Sequence, residues 1–352
     1  MLRHAAYILA AVSMMLAAGT QATGGQTRGD GWYFATIDTV NELIVLHDYE
    51  RAETLLNRLE EAYPDSPSVQ LQKTVLYFTW IDDYGTVDKM NDRFTTAVNQ
   101  TVDYSNAILR EDPDNAYVRF YRGSALAYRA LYRSYTEGIR VSTIPSLISD
   151  ATSGINELQR ANQLNPSFAD PLIGVGKYQH WKAQKFPWPF ASEKDAREGI
   201  RILEQAIDDG LQFDTGAIQT LGWIYISEKR YDDAIALVQP YDDRYPESRF
   251  FREILGRAYL GKKDYDRATE AFQSIVEGLS PQERESNFIV AKYERWLAKI
   301  EQERGNYGEA CLHAHRLRRL DFTGVHEDWL QRKMNLNDRI MQEACPKAQR
   351  NR

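Results

Sequence analysis

Apolar and polar positions repeat along the C-terminal half of the chain. Leu221, Gly222 and Tyr225 return as Leu255, Gly256 and Tyr259, and Tyr231 and Ala234 return as Tyr265 and Ala268, always 34 positions later. Each copy carries two apolar groups separated by a polar turn, and Pro246 and Pro281 close the two copies. The pattern predicts two antiparallel helices per copy, stacked so that neighbours share a core that no copy could bury alone. Gly222 and Ala234 are small enough for the helices to approach closely, while Tyr225 and Val238 fill the space beside them. A fixed period of this kind also tells against an enzyme.

Weaker copies extend both ways. Asp48-Tyr49-Glu50-Arg51-Ala52 matches Arg230-Tyr231-Asp232-Asp233-Ala234, and Tyr63-Pro64-Asp65-Ser66 mirrors Tyr245-Pro246-Glu247-Ser248, which places a first unit at about 33–66. Gly123 and Gly176 stand where Gly222 does, and Gly305 to Ala310 repeats the turn of Lys262 to Ala268, giving a last unit at about 285–320. A final helix over about 325–344, with Trp329, Met334, Leu336, Ile340 and Met341, is expected to cap the open apolar end. Residues 346–352 are too polar to be expected to fold.

In the clearest unit, Thr215 to Ser248, the run Leu221-Gly222-Trp223-Ile224-Tyr225 followed by Ala234, Val238 and Pro246 resembles the tetratricopeptide repeat: L-G-x-x-Y, then A-x-x-x-F, then P. Ile218 and Arg252 stand where that family has an early tryptophan. The resemblance implies an all-α fold, a right-handed α-α superhelix of about seven helical hairpins with a C-terminal capping helix. The solenoid would cover 33–320, with enlarged hairpins over about 67–214 and regular repeats at 215–248 and 249–282, followed by a capping helix and polar tail at 321–352. It also implies a protein or peptide partner held on a concave face formed by the first helices. In register, that face is lined by Tyr117, Phe120 and Ser124, then Asp170, Ile173 and Lys177, then Gln219 and Trp223, then Phe250, Glu253 and Arg257.

The period is irregular before residue 215. Equivalent positions are 49 apart from Thr74 to Gly123, 53 to Gly176 and 46 to Gly222, against 34 to Gly256, so three consecutive units carry 15, 19 and 12 extra residues. Each excess falls between the two helices of a hairpin. A second echo agrees: Gly154-Ile155, Leu158 and Ala161 recur 45 residues on as Gly199-Ile200, Leu203 and Ala206. The enlarged units are rich in aromatics, namely Tyr77, Phe78, Trp80 and Tyr84, then Tyr128, Tyr132 and Tyr135, then Tyr178, Trp181, Phe186, Trp188 and Phe190. They form either an aromatic edge that receives a partner, with Trp181 and Trp188 its anchors, or the cores of longer hairpins. A pocket among these hairpins would instead suit a small-ligand carrier or an enzyme, and an open solenoid end would suit a self-assembling array.

Residues 1–22 follow the outline of a secretory signal peptide: Arg3 and His4, an apolar stretch from Ala5 to Ala18, then small residues for cleavage. Residues 23–32 read as a flexible linker. An exported protein is expected, periplasmic in preference to extracellular, with no membrane span in the mature chain and no cysteine at the cleavage site to carry lipid; the alternative is that the segment is kept as an N-terminal membrane anchor. The formal charge is −7, or −8 without residues 1–22 (42 basic against 50 acidic). That acidity argues against a nucleic-acid partner, which would be held mainly by basic side chains on phosphates.

Candidate chemistry is sparse. Cys311 and Cys345, the chain's two cysteines, could pair or stand as buried thiols. Cys311, His313 and His315 invite a metal, but four-residue spacing on a helix brings only Cys311 and His315 to one face, so no metal is expected. No serine-nucleophile motif or phosphate-binding glycine loop is present. No cofactor is expected, and a small-molecule ligand is not expected either.

Overall fold

The structure, a computed structural model, describes residues 31–137, 142–185, 193–211, 214–323, 325 and 327–350. The predicted leader, most of the linker, and the segment Phe186 to Phe190 with Trp188 lie outside the described residues. Among those described the chain is all-α. Seven hairpins follow in order: α1 (Gly31–Val45) with α2 (Tyr49–Ala62), α3 (Pro67–Tyr84) with α4 (Val87–Glu111), α5 (Ala116–Thr136) with α6 (Ile144–Leu164), α7 (Pro171–Lys185) with α8 (Glu193–Asp208), α9 (Thr215–Ser227) with α10 (Tyr231–Arg244), α11 (Arg249–Gly261) with α12 (Tyr265–Gly278), and, after the short α13 (Pro281–Glu285), α14 (Asn287–Arg304) with α15 (Tyr307–Leu317). The last helix is α16 (Glu327–Arg350).

The regular hairpins turn by one repeated device. His47, Lys229, Lys263 and Gly305 occupy the same point of their turns, all at positive φ (64°, 60°, 63° and 91°). In each, the amide one residue later reaches back five positions to a carbonyl, Asp48 to Leu43, Arg230 to Tyr225, Asp264 to Tyr259 and Asn306 to Glu301. This is the Schellman ending, which satisfies carbonyls that the helix leaves open. The next helix then starts at once, with the Asp48 and Asp264 carboxylates accepting from the amides of Arg51 and Arg267.

Small residues set how closely the helices of a hairpin cross. A Cβ on Gly222 would stand 3.0 Å from Val238, and one on Gly256 would stand 2.7 Å from the Phe272 ring. In two of the three enlarged hairpins the contact is glycine against glycine, Gly123 with Gly154 and Gly176 with Gly199. The extra residues of the first two enlarged units mostly lengthen helices: α4 has 25 residues and α5 and α6 have 21 each, against 13 and 14 in α11 and α12.

Two compact units result. The first comprises the described residues up to Trp80 together with 89–221, and the second comprises 81–88 together with 222–350. In the first, Phe78 contacts the rings of Phe94, Tyr128 and Tyr135, and Phe94 packs on Tyr132 with centroids 4.3 Å apart. These rings are buried, so the aromatics of the first two enlarged hairpins serve chiefly as core. Each ring removed from water contributes about 1.5–3 kcal/mol. In the second unit Phe272, Ile275, Ile289, Tyr293 and Ile300 form one cluster, and Ala298, Ala310, Ala314, Ile340 and Ala344 form another beneath α16.

The tail corrects one expectation: α16 is helical to Arg350 and contains Pro346. Ala344 and Cys345 are buried and Cys345 is bonded to Cys311, which fixes the helix just before the proline. Lys347 and Arg350 then sit in the last turn, where cations suit the helix dipole.

Candidate partner-binding site

In the second unit, first helices carry a row of tryptophan and arginine. Trp223 of α9 and Arg257 of α11 are 34 residues apart and therefore share a register. The Arg257 guanidinium lies 5.5 Å from the Trp223 ring centroid and 4.0 Å from that of Trp296 on α14. Arg295 approaches the same Trp296 ring at 5.0 Å, and Phe272 stacks behind it at 5.9 Å. Trp223, Arg257 and Trp296 are each half-buried, so the row presents part of its surface to solvent. Cation and ring attract each other electrostatically, and the planar guanidinium stacks as well. Trp296 and Arg295 fall in the weakest repeat copy, and the sequence offered no aligned position from which to select them.

An ionic network underlies this row. Glu253, one turn before Arg257, is buried together with Arg249, Lys292 and Arg295. Arg249 reaches both Asp83 and Glu283, while Lys292 donates to the other oxygen of Asp83 at 3.2 Å. Burial works to discharge Lys292, but Tyr293 and the carboxylates of Asp83, Glu253 and Asp82 outweigh it and hold the ammonium well above the usual lysine range. Burial would likewise raise Glu283, yet Arg249 and the Ser280 capping contacts hold it below the usual carboxylate range. Three buried cations, Arg249, Lys292 and Arg295, thus lie among four carboxylates, Asp82, Asp83, Glu253 and Glu283, so opposite charges largely offset one another beneath the row.

A family model described as Tetratricopeptide repeat matches residues 219–284, which span the Trp223 and Arg257 positions and both regular hairpins. Residues 219–284 are thus similar to tetratricopeptide repeats. Such repeats generally mediate protein–protein interaction. No curated protein matches the chain. Human IFIT1, solved as a dimer with PPP-AAAA, is similar in structure with a TM-score of 0.46 at 14% identity, over 90% of this chain and 69% of that one. No helix among the described residues is long and apolar enough to cross a membrane.

In the first unit the expected concave lining is largely enclosed. Tyr117 and Phe120 pack on Phe168, with centroids 4.7 and 5.1 Å apart, and Asn165 donates to the Tyr117 hydroxyl at 3.2 Å. Phe120, Ser124, Asp170, Ile173, Lys177 and Gln219 are buried, so they offer little open surface. Trp181 is half-buried, edge-on to His180 at 4.8 Å. Several of these enclosed polar atoms lack a hydrogen-bond partner among the described residues: Ser124 Oγ, Asp170 Oδ1, Lys177 Nζ, and both amide atoms of Gln219. Burial pulls the Lys177 ammonium down to about 7 and pushes the Asp170 carboxyl up to about 7.

The first unit also has a cleft of about 680 Å³ lined by Asp103, Asn106, Leu109, Arg110, Arg119 and Arg122. Arg119 and Arg122 share the Glu157 carboxylate at 2.8 and 2.5 Å. The spacing of these two arginines, one turn apart on α5, was the available signal for it.

Near the C-terminus, Cys311 of α15 and Cys345 of α16 form a disulfide. His313 faces away from it, with Nδ1 3.7 Å from Glu294 on α14, as helical geometry requires.

Proposed function

We propose that this chain is a non-catalytic scaffold of the cell envelope that holds a protein or peptide partner on the inner row of its second unit. The Trp223–Arg257–Trp296 row carries this reading. Tryptophan and arginine dominate binding energy at protein interfaces, because they combine large contact area with directed polar groups. The network beneath keeps the row in place before binding, which reduces the ordering cost of association. The envelope location rests on the leader-like residues 1–22.

The test compares the mature chain with Arg257→Ala and Trp223→Ala variants as bait in an envelope extract. The partner retained by the wild-type chain should be lost from both variants while helicity and melting temperature stay close to wild type. Equal retention by all three removes the inner row from consideration.

A second reading, a small-ligand site in the first unit, is favoured by Lys177. A buried lysine titrating near neutrality is partly an uncharged amine, and such an amine is nucleophilic. Reaction of Lys177 with a carbonyl probe, trapped by borohydride and located by peptide mass, would support it; labelling confined to surface lysines would remove it.

A further inference from the structure

We propose that Cys311, His315 and Cys345 form a redox-gated metal site, closed as a disulfide when oxidised and able to bind zinc when reduced. Cys311 and His315 lie one turn apart on one face of α15, and Cys345 faces them from α16. The two sulfurs and an imidazole nitrogen lie within 4.8 Å of one another. Tetrahedral zinc holds thiolate at about 2.3 Å and imidazole at about 2.0–2.1 Å, which separates neighbouring ligand atoms by roughly 3.5–3.8 Å. Small side-chain rotations therefore bring the trio onto one ion. The backbones need not move, because the cysteine Cα atoms are already 4.9 Å apart and the apolar cluster of Ala310, Ala314, Ile340 and Ala344 holds both helices.

The chemistry balances. A dithiol reductant gives two electrons and two protons to the disulfide and is itself oxidised to a disulfide. Zinc then displaces both thiol protons, so two thiolates and one neutral imidazole give a site of zero net charge. Thiolate and imidazole are the donors that zinc prefers, and solvent completes four-coordination as in open zinc sites. His315 is exposed and Cys311 half-buried, which gives reductant and ion a way in.

The full chain is reduced with a phosphine, exchanged anaerobically, and titrated with Co²⁺, then with Zn²⁺ against a chromophoric chelator, while circular dichroism follows helicity. The expected result is one equivalent of Co²⁺ with a sulfur-to-cobalt charge-transfer band, displaced by Zn²⁺, and no band from the oxidised chain. His315→Ala, a change at an exposed position, should weaken zinc binding by about tenfold or more. Absence of the band, unchanged affinity in His315→Ala, or equal affinity in a Cys311→Ser, Cys345→Ser double variant overturns the proposal. Metal bound only after helicity is lost does the same.

Discussion

Gly176 and Gly199 meet backbone to backbone where α7 crosses α8: a Cβ on Gly176 would stand 2.8 Å from the Gly199 carbonyl oxygen, and one on Gly199 would stand 2.5 Å from that of Gly176. Gly123 and Gly154 make the same reciprocal contact, at 2.8 Å each way, between α5 and α6. Neither backbone can step aside without displacing a whole helix. Gly199→Ala should therefore destabilise by about 1–3 kcal/mol, the range for overpacked cores, despite alanine's better helix propensity. Gly308, in α15 with nothing within 4 Å of an added Cβ, is the control: Gly308→Ala should stabilise by about 0.5–1 kcal/mol. Urea denaturation of both variants checks the contrast, and equal shifts would refute the steric account.

The repeated turn makes an opposite prediction. Lys229 and Lys263 adopt left-handed backbone at a position where the last hairpin has Gly305. A side chain costs about 1–2 kcal/mol there, and glycine's extra freedom in the unfolded chain offsets part of that. Lys263→Gly should thus raise stability modestly, by a few tenths to about 1 kcal/mol, although it places glycine beside a helix end. A fall in melting temperature would show that Lys263 makes a contact outweighing its strain.

These two sites also mark how far the sequence could be read. The echo from Gly123 to Gly176 and the echo from Gly154 to Gly199 were legible as separate recurrences. They are two halves of one helix crossing, a pairing that a one-dimensional period does not show. Trp223 and Arg257 were legible because strict 34-residue spacing carries a register from α9 to α11. Trp296 was not, since α14 follows the short α13 and loses that register. The burial of Lys177 and Gln219 was hidden for another reason: helical spacing tells which side of a helix a residue occupies, and packing decides whether that side is open. Asp83 is the extreme case, joined to Lys292 across 209 residues by no pattern in the chain.

Asp170 and Lys177 predict opposed pH dependences. For Asp170 the folded value near 7 lies above the ordinary carboxylate value, so the folded state binds the extra proton between about pH 4 and 7 and loses stability as pH rises through that window. For Lys177 the folded value near 7 lies below the ordinary lysine value, so the cost of burial is full below pH 7 and is relieved as pH rises toward 10.5. Asp170→Asn should stabilise at pH 8 and have little effect at pH 4. Lys177→Met should stabilise at pH 6 and lose most of that gain by pH 10. Shifts of this size correspond to about 4–5 kcal/mol at most. Denaturation midpoints across pH test both, and parallel rather than opposed profiles would show that these groups do not titrate in enclosed sites.

The Asp83 network supplies the last prediction. Asp83 is 1% exposed and serves Arg249 and Lys292 at once. Removing one member of a buried ionic set leaves uncompensated charge and typically costs about 3–5 kcal/mol. In Asp83→Asn, Glu283 still serves Arg249, whereas Lys292 loses its closest carboxylate. Its ammonium is held high by that carboxylate and others, so the variant should shift it downward and expel its proton at a lower pH than in the wild-type chain. Uncharged lysine is far cheaper to bury. The destabilisation should therefore be large at pH 7 and smaller near pH 10, because over that interval the variant sheds the buried lysine's proton while the wild-type network keeps it. An Asp83→Asn effect independent of pH would assign the loss to packing at the end of α3 and not to the charge of Lys292.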